Sequence, residues 1–592
     1  MASRGVKIAF ALLSVTLVVP IALFFFLYFL IGRAPAVEGN AILSMQLGGD
    51  LVEVAPANLV SFVRESRVPT VRTVVDNLRK AKVDARVNGV FLKLTGLSTP
   101  YWGKVQEIRD AMIDFRTSGK PIYAYLEYGG DRDYYLATAA DRVFLMPSSP
   151  LDLAGIATYE VFLRGALDKA GVYPDLHHIG DYKTAPNTYT EKTFTAAHRE
   201  MDESLNADLL GQVVRGVAEG RKRSTVEVRA LVDQGPFLPE QALKAGLIDE
   251  IGYEDEALLR LRAVKAGSAP NTIDGERYAQ ISLASLGLNR GPRIGVVYAT
   301  GAIVSGKGGF DPLNGVSLGS DTLIDAIRDA ARDASLRAII LRIDSPGGSA
   351  AASDAIWREL MLVKRDHPEK PLIASMGDLA ASGGYYIALP AKAIVAQPST
   401  LTGSIGIFGG KFVTGGLFEK LGANVESSSI GTHAELNSPA RPFNKAEGLK
   451  VDEQLRAFYD GFLLKVADSR GSTPAKIDQL ARGRVWTGQQ ARANGLVDEL
   501  GGLDRAIAVA KESAGLAPQS DVELVTYPTP KTFYELLAET MSGESQAAVS
   551  MDRWLRANLT GGEVELLRAV RGPATMFRRG EALALMPYTF TR

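Results

Sequence analysis

The chain has 592 residues, which is too long for a single hydrophobic core and predicts two to four domains. Its 66 Lys+Arg and 67 Asp+Glu give a formal net charge of -1, so no overall basic field exists to attract nucleic acid. Cysteine is absent, which excludes disulfides, a thiolate nucleophile and a Cys-ligated zinc. The five histidines form no HExxH motif or other close ligand spacing, so we expect no catalytic metal and no cofactor.

An uncharged apolar run occupies residues 8–31 near the N-terminus. Its 24 residues form about 36 Å of helix, enough to span a hydrocarbon core of about 30 Å. Arg4 and Lys7 precede the run and only Arg33 follows closely, which predicts a cytoplasmic N-terminus and an exported remainder. A cleavable signal peptide is the alternative, but the run is much longer than its usual apolar core. We therefore expect residues 1–33 to form a cytoplasmic stub and a retained transmembrane anchor.

The rest of the chain contains two similar halves, separated by an offset of 249 or 250 residues. "LRKAKVDARVNGVFLKLT" (78–95) matches "IRDAARDASLRAIILRID" (327–344), and "GLIDEIG" (246–252) matches "GLVDELG" (495–501). A third pair begins at Lys120 and Lys370. The constant offset indicates a tandem duplication.

Each half alternates short apolar runs with amphipathic helical stretches, which favours an α/β fold with a largely buried sheet. The apolar runs that predict strands are "GVFLKL", "IYAYL", "AIILRI" and "LIASM". We predict a first domain at 40–267, a linker at 268–292, a second domain at 293–530, and a C-terminal helical and loop extension at 531–592. "GAIVSGKG" (301–308) fits GxxxxGK, but Gly308 stands where a phosphate-binding loop has Ser or Thr, so we expect no nucleotide site.

Two motifs whose residues could take part in catalysis occur only in the second half. "DSPGGS" (344–349) places Gly347 after an apolar strand, where paired glycines suit an oxyanion hole or simply a tight turn. "AASGGYY" (380–386) places Ser382 before Gly383 at a strand-to-helix junction, which suits a nucleophile or a helix cap. The first half has "TGLSTP" and Arg132 at the equivalent places. The combination of the two motifs favours a catalytic function.

A nucleophilic serine needs a base, and the sequence offers two candidates. His433 follows Ser382 by 51 residues and could act as the base of a catalytic triad, with Asp378 or Asp344 orienting it. The other candidate is Lys183 in "IGDYKTAP" (179–186), where the matching "IGTHAELN" (430–437) has Ala434. Burial would lower the pKa of the lysine and make it a base.

"DSPGGS", "SMGDLAASGGYYIA" and "PSTLTGSIGIFG" in the second half, with "GDYKTA" in the first, resemble the long, duplicated form of the signal peptide peptidase A family. The resemblance implies tandem domains similar to the crotonase and Clp protease folds, and a serine–lysine dyad. It places the nucleophile on Ser382 and the general base on Lys183. It places the oxyanion hole on the amides of Gly347 and Gly383, and it makes Ser404 the residue that orients the lysine.

The same resemblance implies a function and a location. The protein would be a single-pass serine peptidase of the bacterial inner membrane, with its catalytic body on the extracytoplasmic side. It would degrade hydrophobic peptides such as cleaved signal peptides, assemble as a homotetramer, and bind no nucleic acid. The alternatives are a catalytically idle membrane scaffold and a crotonase-like enzyme acting on acyl thioesters.

Overall fold

The structure is a computed structural model that describes residues 37–54, 70–264, 271–311, 315–529, 581–587 and 590–591. The predicted membrane span at residues 8–31 lies outside these ranges. Within them, no helix has both the length and the apolar character needed to cross a bilayer.

The first half is built on a parallel sheet. Its described strands are β1 (Ala41–Gly49), β2 (Val87–Leu97), β3 (Ile122–Leu126), β4 (Arg142–Leu145), β5 (Thr158–Tyr159), β6 (Tyr173–Ile179), β7 (Glu250–Ile251) and β8 (Thr272–Asp274). Six of them pair in the order β7-β4-β3-β2-β1-β8, all parallel. All five residues of β3 are buried, as expected for a parallel sheet with both faces covered.

The second half repeats this sheet. Its described strands are β9 (Arg293–Thr300), β10 (Ala302–Val304), β11 (Gly309–Asp311), β12 (Gly315–Gly319), β13 (Leu336–Ser345), β14 (Gly347–Ser349), β15 (Leu372–Ala381), β16 (Ala393–Ala396), β17 (Leu401–Gly403), β18 (Ile407–Val413), β19 (Val485–Thr487), β20 (Glu499–Leu500) and β21 (Glu523–Tyr527). The sheet order is β19-β17-β15-β13-β9-β21, with β16 and β20 continuing beside β15. The parallel set β21, β9, β13, β15, β16 and β20 corresponds strand for strand to the first sheet.

A third, mixed sheet joins the two halves. It includes β22 (Leu583–Leu585) from the C-terminal segment and has the order β11-β12-β10-β14-β22-β18-β6. β6 of the first half pairs antiparallel with β18 of the second over seven residues. A last strand, β23 (Phe590–Thr591), pairs with β5. The third sheet therefore brings a loop of the first half onto the second half.

Helices cover the sheets on both sides. Those of the first half are α1 (Val71–Val83), α2 (Gly103–Arg116), α3 (Asp131–Ala137), α4 (Arg164–Ala170), α5 (Asn187–Thr190), α6 (Ala196–Arg221), α7 (Thr225–Val232), α8 (Pro239–Lys244), α9 (Glu254–Ala263) and α10 (Gly275–Ala279). A 3-10 helix at Leu283–Leu286 follows. Those of the second half are α11 (Ser320–Arg332), α12 (Ala350–Asp366), α13 (Gly383–Ala388), α14 (Gly415–Lys420), α15 (Lys445–Arg470), α16 (Pro474–Leu480), α17 (Gly488–Ala493) and α18 (Leu503–Ser513).

Buried ion pairs fix the two halves to each other. Arg342 on β13 is 1% exposed and pairs with Glu53 at 2.6 Å and with Glu107 at 2.7 Å, both from the first half. Removal of one partner from such a buried cluster leaves an uncompensated charge, which typically costs about 3–5 kcal/mol. The halves therefore form one body, and their relative position is specified by charge as well as by packing.

The structure confirms the mixed α/β class and the duplication, since all four predicted apolar runs lie in strands: β2, β3, β13 and β15. Two predictions need correction. The segment predicted as a linker, 268–292, contains β8, which pairs with β1, and the helix α10. The extension predicted as helix and loop contributes β22 to the third sheet, because its "LAL" run can be buried between two unpaired strand edges.

Candidate active site

Ser382 occupies a sharp turn between β15 and α13. Its backbone has φ 54° and ψ -111°, a conformation that a residue with a side chain rarely adopts. The serine is fully buried, and its own N–H donates to Gly403 O at 2.8 Å. Backbone strain of this kind persists only where the surroundings enforce it, and it is concentrated at functional sites.

Lys183 reaches the same place from the first half. It lies in the loop after β6, and Tyr182 N–H donates to Arg482 O at 3.0 Å in the second half. A Cβ on Gly483 would overlap Lys183 Cα, so only glycine allows the two backbones to approach this closely. The loop that carries the lysine is thereby docked against the second half.

The three polar side chains meet in a compact group. Lys183 Nζ lies 2.9 Å from Ser382 Oγ, 3.1 Å from Ser404 Oγ and 3.2 Å from Ser404 O. A neutral amine has two N–H donors and one lone pair. If Ser404 O and Oγ accept both N–H groups, the lone pair faces the Ser382 hydroxyl, which is the arrangement that a general base requires.

The surroundings favour the neutral form of this amine. Burial lowers the pKa of Lys183 well below the ordinary lysine value, because the ammonium ion loses its hydration. Among the described residues no carboxylate raises this pKa again, and the adjacent Asp181 is exposed. No opposite charge therefore restores the protonated state.

Gly347 and Gly383 lie side by side next to the serine. A Cβ on Gly347 would be 2.7 Å from Gly383 N, and the φ of +97° at Gly347 strains any larger residue. Gly383 is the first residue of α13, where N–H groups have no partner within the helix. The Gly347 N–H donates to Ser345 Oγ at 3.2 Å, a long bond that a nearby oxyanion would compete for.

The triad alternative has little geometric support. His433 is exposed in a turn, whereas Ser382 is fully buried. The two candidate aspartates serve the contact between the halves: Lys104 Nζ lies 2.7 Å from Asp344 and 3.2 Å from Asp378. The aspartates are therefore already occupied, and Lys183 is the basic group at Ser382.

The C-terminal segment lies next to this site, a feature that the sequence analysis missed. β22 runs antiparallel to β14, with Leu585 opposite Gly347, and it also pairs with β18. Met586 N–H donates to Pro346 O at 2.9 Å, and its side chain packs into an apolar cluster with Leu379, Ala381 and Leu401. Alternation of small and large apolar residues was the only sequence signal for this strand.

The equivalent place in the first half has no comparable site. Arg132 stands where the second half has Ser382, and it is 8% exposed. Its guanidinium lies 4.9 Å from the centre of the Trp102 ring and donates to Pro100 O at 2.9 Å. The position is filled by a cation and an aromatic ring, so it offers neither a nucleophile nor space for a peptide.

Comparison with known proteins identifies the family of the chain. Peptidase family S49 matches residues 114–267 and 364–517, which lie in the first and second halves respectively. The serine protease SPPA, chloroplastic, of Arabidopsis thaliana is 36% identical over 88% of this chain and 76% of its own length. Protease 4 of Salmonella typhi is 34% identical over 80% of this chain and 76% of its own length. The solved structure of a ClpP1 mutant from Listeria monocytogenes aligns at 13% identity over 35% of this chain and 91% of its own, with a TM-score of 0.22, which adds nothing to the fold description.

The fold and the site define a duplicated serine peptidase. The chain belongs to peptidase family S49, which agrees with the resemblance stated above.

Proposed function

We propose that this protein is a membrane-anchored serine endopeptidase that degrades hydrophobic peptides, including cleaved signal peptides, with Ser382 and Lys183 as its catalytic dyad. The observation that carries the proposal is the 2.9 Å approach of a fully buried lysine to a fully buried serine in a strained turn. A lysine in that position is unusual unless its basicity is used, because burying its charge costs free energy.

The reaction follows from the positions of these atoms. Lys183 Nζ accepts the hydroxyl proton while Ser382 Oγ attacks the peptide carbonyl carbon, and Ser404 holds the amine in line. The N–H groups of Gly347 and Gly383 stabilise the tetrahedral oxyanion. When the C–N bond breaks, the lysine ammonium gives its proton to the leaving amine. A water molecule, deprotonated by Lys183, then hydrolyses the serine ester and releases the carboxylate product.

An extended peptide is the form of substrate that the site suits. The space between β14 and β18 accepts a strand, as the position of β22 illustrates, and backbone hydrogen bonds in such a groove do not depend on sequence. The buried apolar cluster of Leu379, Ala381 and Leu401, to which Met586 also belongs, would provide an apolar pocket near Ser382 once Met586 is displaced. We therefore propose that substrates bind as strands with an apolar side chain in this pocket.

An active-site-directed acylating probe tests the catalytic assignment. A reactive fluorophosphonate should label Ser382 in the wild type but not in Ser382→Ala, with mass spectrometry locating the adduct. Ser353→Ala is a matched control, since Ser353 is also fully buried near Gly383 and should leave labelling intact. An idle scaffold would not be labelled at all. An acyl-thioester enzyme would turn over an acyl thioester and leave peptides uncut.

Anchoring at residues 8–31 and an extracytoplasmic catalytic body complete the proposal. The support is the length of the uncharged run and the positive charges that precede it. An alkaline phosphatase fusion after Arg592 should be active, and deletion of residues 1–33 should release an active protein from the membrane fraction. An inactive fusion accompanied by an active cytoplasmic reporter would reverse the topology.

Assembly as a homotetramer is proposed on the resemblance to the family alone. Light scattering on the purified, detergent-solubilised protein should give four chains per particle. A monomer that cleaves peptides at the full rate would contradict it.

A further inference from the structure

A second group of buried ionisable residues lies in the first half, outside the proposed dyad. Glu160 follows β5, and His198 and Asp202 lie one turn apart at the start of α6. One ligand atom from each residue lies within 4.8 Å of the others. His198 is fully buried, the Glu160 side chain is 3% exposed, and Asp202 is 7% exposed.

The polar atoms of this group are not satisfied by the protein. Glu160 Oε1 and Asp202 Oδ2 are buried and make no hydrogen bond to the described residues. The close approach within the group is the 2.9 Å separation of His198 Nε2 and Glu160 Oε2. Buried atoms without partners are rare because each costs desolvation free energy, so two such carboxylate oxygens beside His198 require an explanation.

We propose that Glu160, His198 and Asp202 form a structural binding site for a divalent transition-metal ion, with zinc as the best match. One imidazole and two carboxylates are ligands that Zn²⁺ accepts, and the ion would compensate the charge of two buried carboxylates. The site is independent of the proposed peptidase mechanism.

The surroundings of His198 suit a ligand. Asn187 Nδ2 lies 3.4 Å from His198 Nδ1. With a metal bound at Nε2, a 180° rotation of this amide would turn its oxygen to the ring, where it would accept the Nδ1–H. The rings of Phe162 and Phe194 pack against the imidazole, with centroid distances of 6.1 and 4.9 Å. Asn187 follows Lys183 by four residues, so the ion would also brace the loop that carries the lysine.

The second half provides an internal comparison. Its helix α15 begins like α6, and Glu447 occupies the third position of the helix, as His198 does. Glu447 is fully buried but accepts hydrogen bonds from Arg441 at 2.7 and 2.9 Å and from Asn444 N–H at 2.9 Å. The carboxylate at this helix position in the second half thus has hydrogen-bond partners for both oxygens, whereas the group around His198 leaves Glu160 Oε1 and Asp202 Oδ2 without one.

The competing explanation is a proton shared within the group, since burial, followed by the charge of Glu160, raises the pKa of Asp202 to about 7. Asp202→Asn distinguishes the two, because it mimics a protonated aspartate but is a poor metal ligand. Glu203→Gln, one residue along and exposed, is the control. The full-length protein is analysed by elemental mass spectrometry and by thermal unfolding with Zn²⁺ or EDTA.

With a metal site, wild type and Glu203→Gln carry about one zinc ion per chain and are destabilised by EDTA, whereas Asp202→Asn carries none and does not respond. An Asp202→Asn protein with unchanged or higher melting temperature, together with a metal-free wild type that ignores added zinc, would overturn the proposal.

The C-terminal strand supports a second inference, from a different observation. β22 lies between β14 and β18, where the proposed function requires the substrate, and a Cβ on Gly347 would overlap Ala584 O. Leu583 and Leu585 pack with Ala185 and Phe408, while Met586 packs in the apolar cluster with Leu379, Ala381 and Leu401.

We infer that residues 581–587 act as a built-in competitor of peptide substrates, an inference that depends on the proposed function. A chain that ends at Gly580 should hydrolyse peptides with a several-fold higher kcat/KM, and a synthetic EALALMP peptide should inhibit it competitively. Met586→Asp in the full chain should also raise the rate, because a carboxylate is disfavoured in the apolar pocket.

A purely structural role for β22 would give different results in these experiments. If β22 is only a structural strand, truncation lowers both the melting temperature and the rate, and the added peptide restores them. Failure of the acylating probe to label Ser382 in either chain would instead count against the peptidase mechanism itself.

Discussion

The two halves of the chain share a sheet topology but differ at the positions where chemistry takes place. The loop after β6 is buried against the second half and contains Lys183, whereas the equivalent loop of the second half is exposed and Ile430 is 100% accessible. Ser382 begins α13 in a strained turn, whereas Arg132 sits against Trp102 at the matching place. If the proposed dyad is the active site, a duplicated domain has divided one site, and each half has kept the group that faces its neighbour.

The strongest test of a site shared between the halves is to remove the proposed catalytic side chain of each half in turn. Lys183→Ala should reduce peptide cleavage to the background rate, as completely as Ser382→Ala, because members of one catalytic unit do not act additively. His433→Ala should retain most activity and is the control for the exposed loop. The measurement is kcat/KM on an apolar fluorogenic peptide. A tolerated lysine substitution with a lethal histidine substitution would show that the halves do not share a dyad.

The proposed oxyanion hole provides a further test, within the second half. Gly347→Ala should lower kcat by about a hundredfold or more, since loss of one donor typically costs about 3 kcal/mol in the barrier. A Cβ there meets backbone atoms on both sides, at Ala584 O and Gly383 N, so the amide must move. Thermal unfolding measured beside the kinetics should show a smaller effect. Equal losses of stability and rate would indicate a purely structural turn.

The lowered pKa of Lys183 predicts that the free energy of unfolding depends on pH. Burial lowers the pKa of this lysine, so between its folded pKa and the ordinary value of about 10.4 the unfolded state binds more protons. Stability from this residue therefore rises with pH across that window. Lys183→Met should be more stable than wild type, by a margin that grows as pH falls from about 10 towards neutrality. A constant margin across that range would mean that the amine is not desolvated.

The smallest effect is expected in the first half. Arg132→Ser places a serine at the position equivalent to Ser382, yet in a Ser382→Ala background it should restore no cleavage, because the position equivalent to Lys183 is the exposed Ala434 region. Loss of the contact with Trp102 should cost no more than about 2 kcal/mol in unfolding free energy. Recovered cleavage would reveal a second latent site.

The sequence predicts the secondary-structure elements better than it predicts the contacts between elements that are distant in sequence. The constant offset and the apolar runs predicted the α/β duplication, because strand patterns are local. The motifs around Gly347 and Ser382 indicated the second half for the same reason. The contact of Lys183 with Ser382 spans 199 residues and depends on the pairing of β6 with β18, which no local pattern encodes. The resemblance to the signal peptide peptidase A family, not a local pattern, is what indicated this pair.

Three further features could not be predicted from the sequence, because each depends on contacts between segments that are distant in the chain. The short strand β22 is stabilised by its two neighbours rather than by its own propensity. His198 and Asp202 have the i, i+4 spacing of helical metal ligands, a signal that was available, but Glu160 joins them from a separate segment. Charged residues such as Lys104 and Arg342 look like surface groups in the sequence, and only the contact between the halves buries them.

Docking of the lysine loop onto the second half also has a genetic consequence. Because Ser382 and Lys183 belong to one polypeptide and meet inside it, the proposed dyad would need no group from a neighbouring chain. A chain that has lost Lys183 and another that has lost Ser382 should not complement each other when expressed together, even in a shared assembly. With the proposed dyad, damage to either half would inactivate its own chain and leave intact neighbours working.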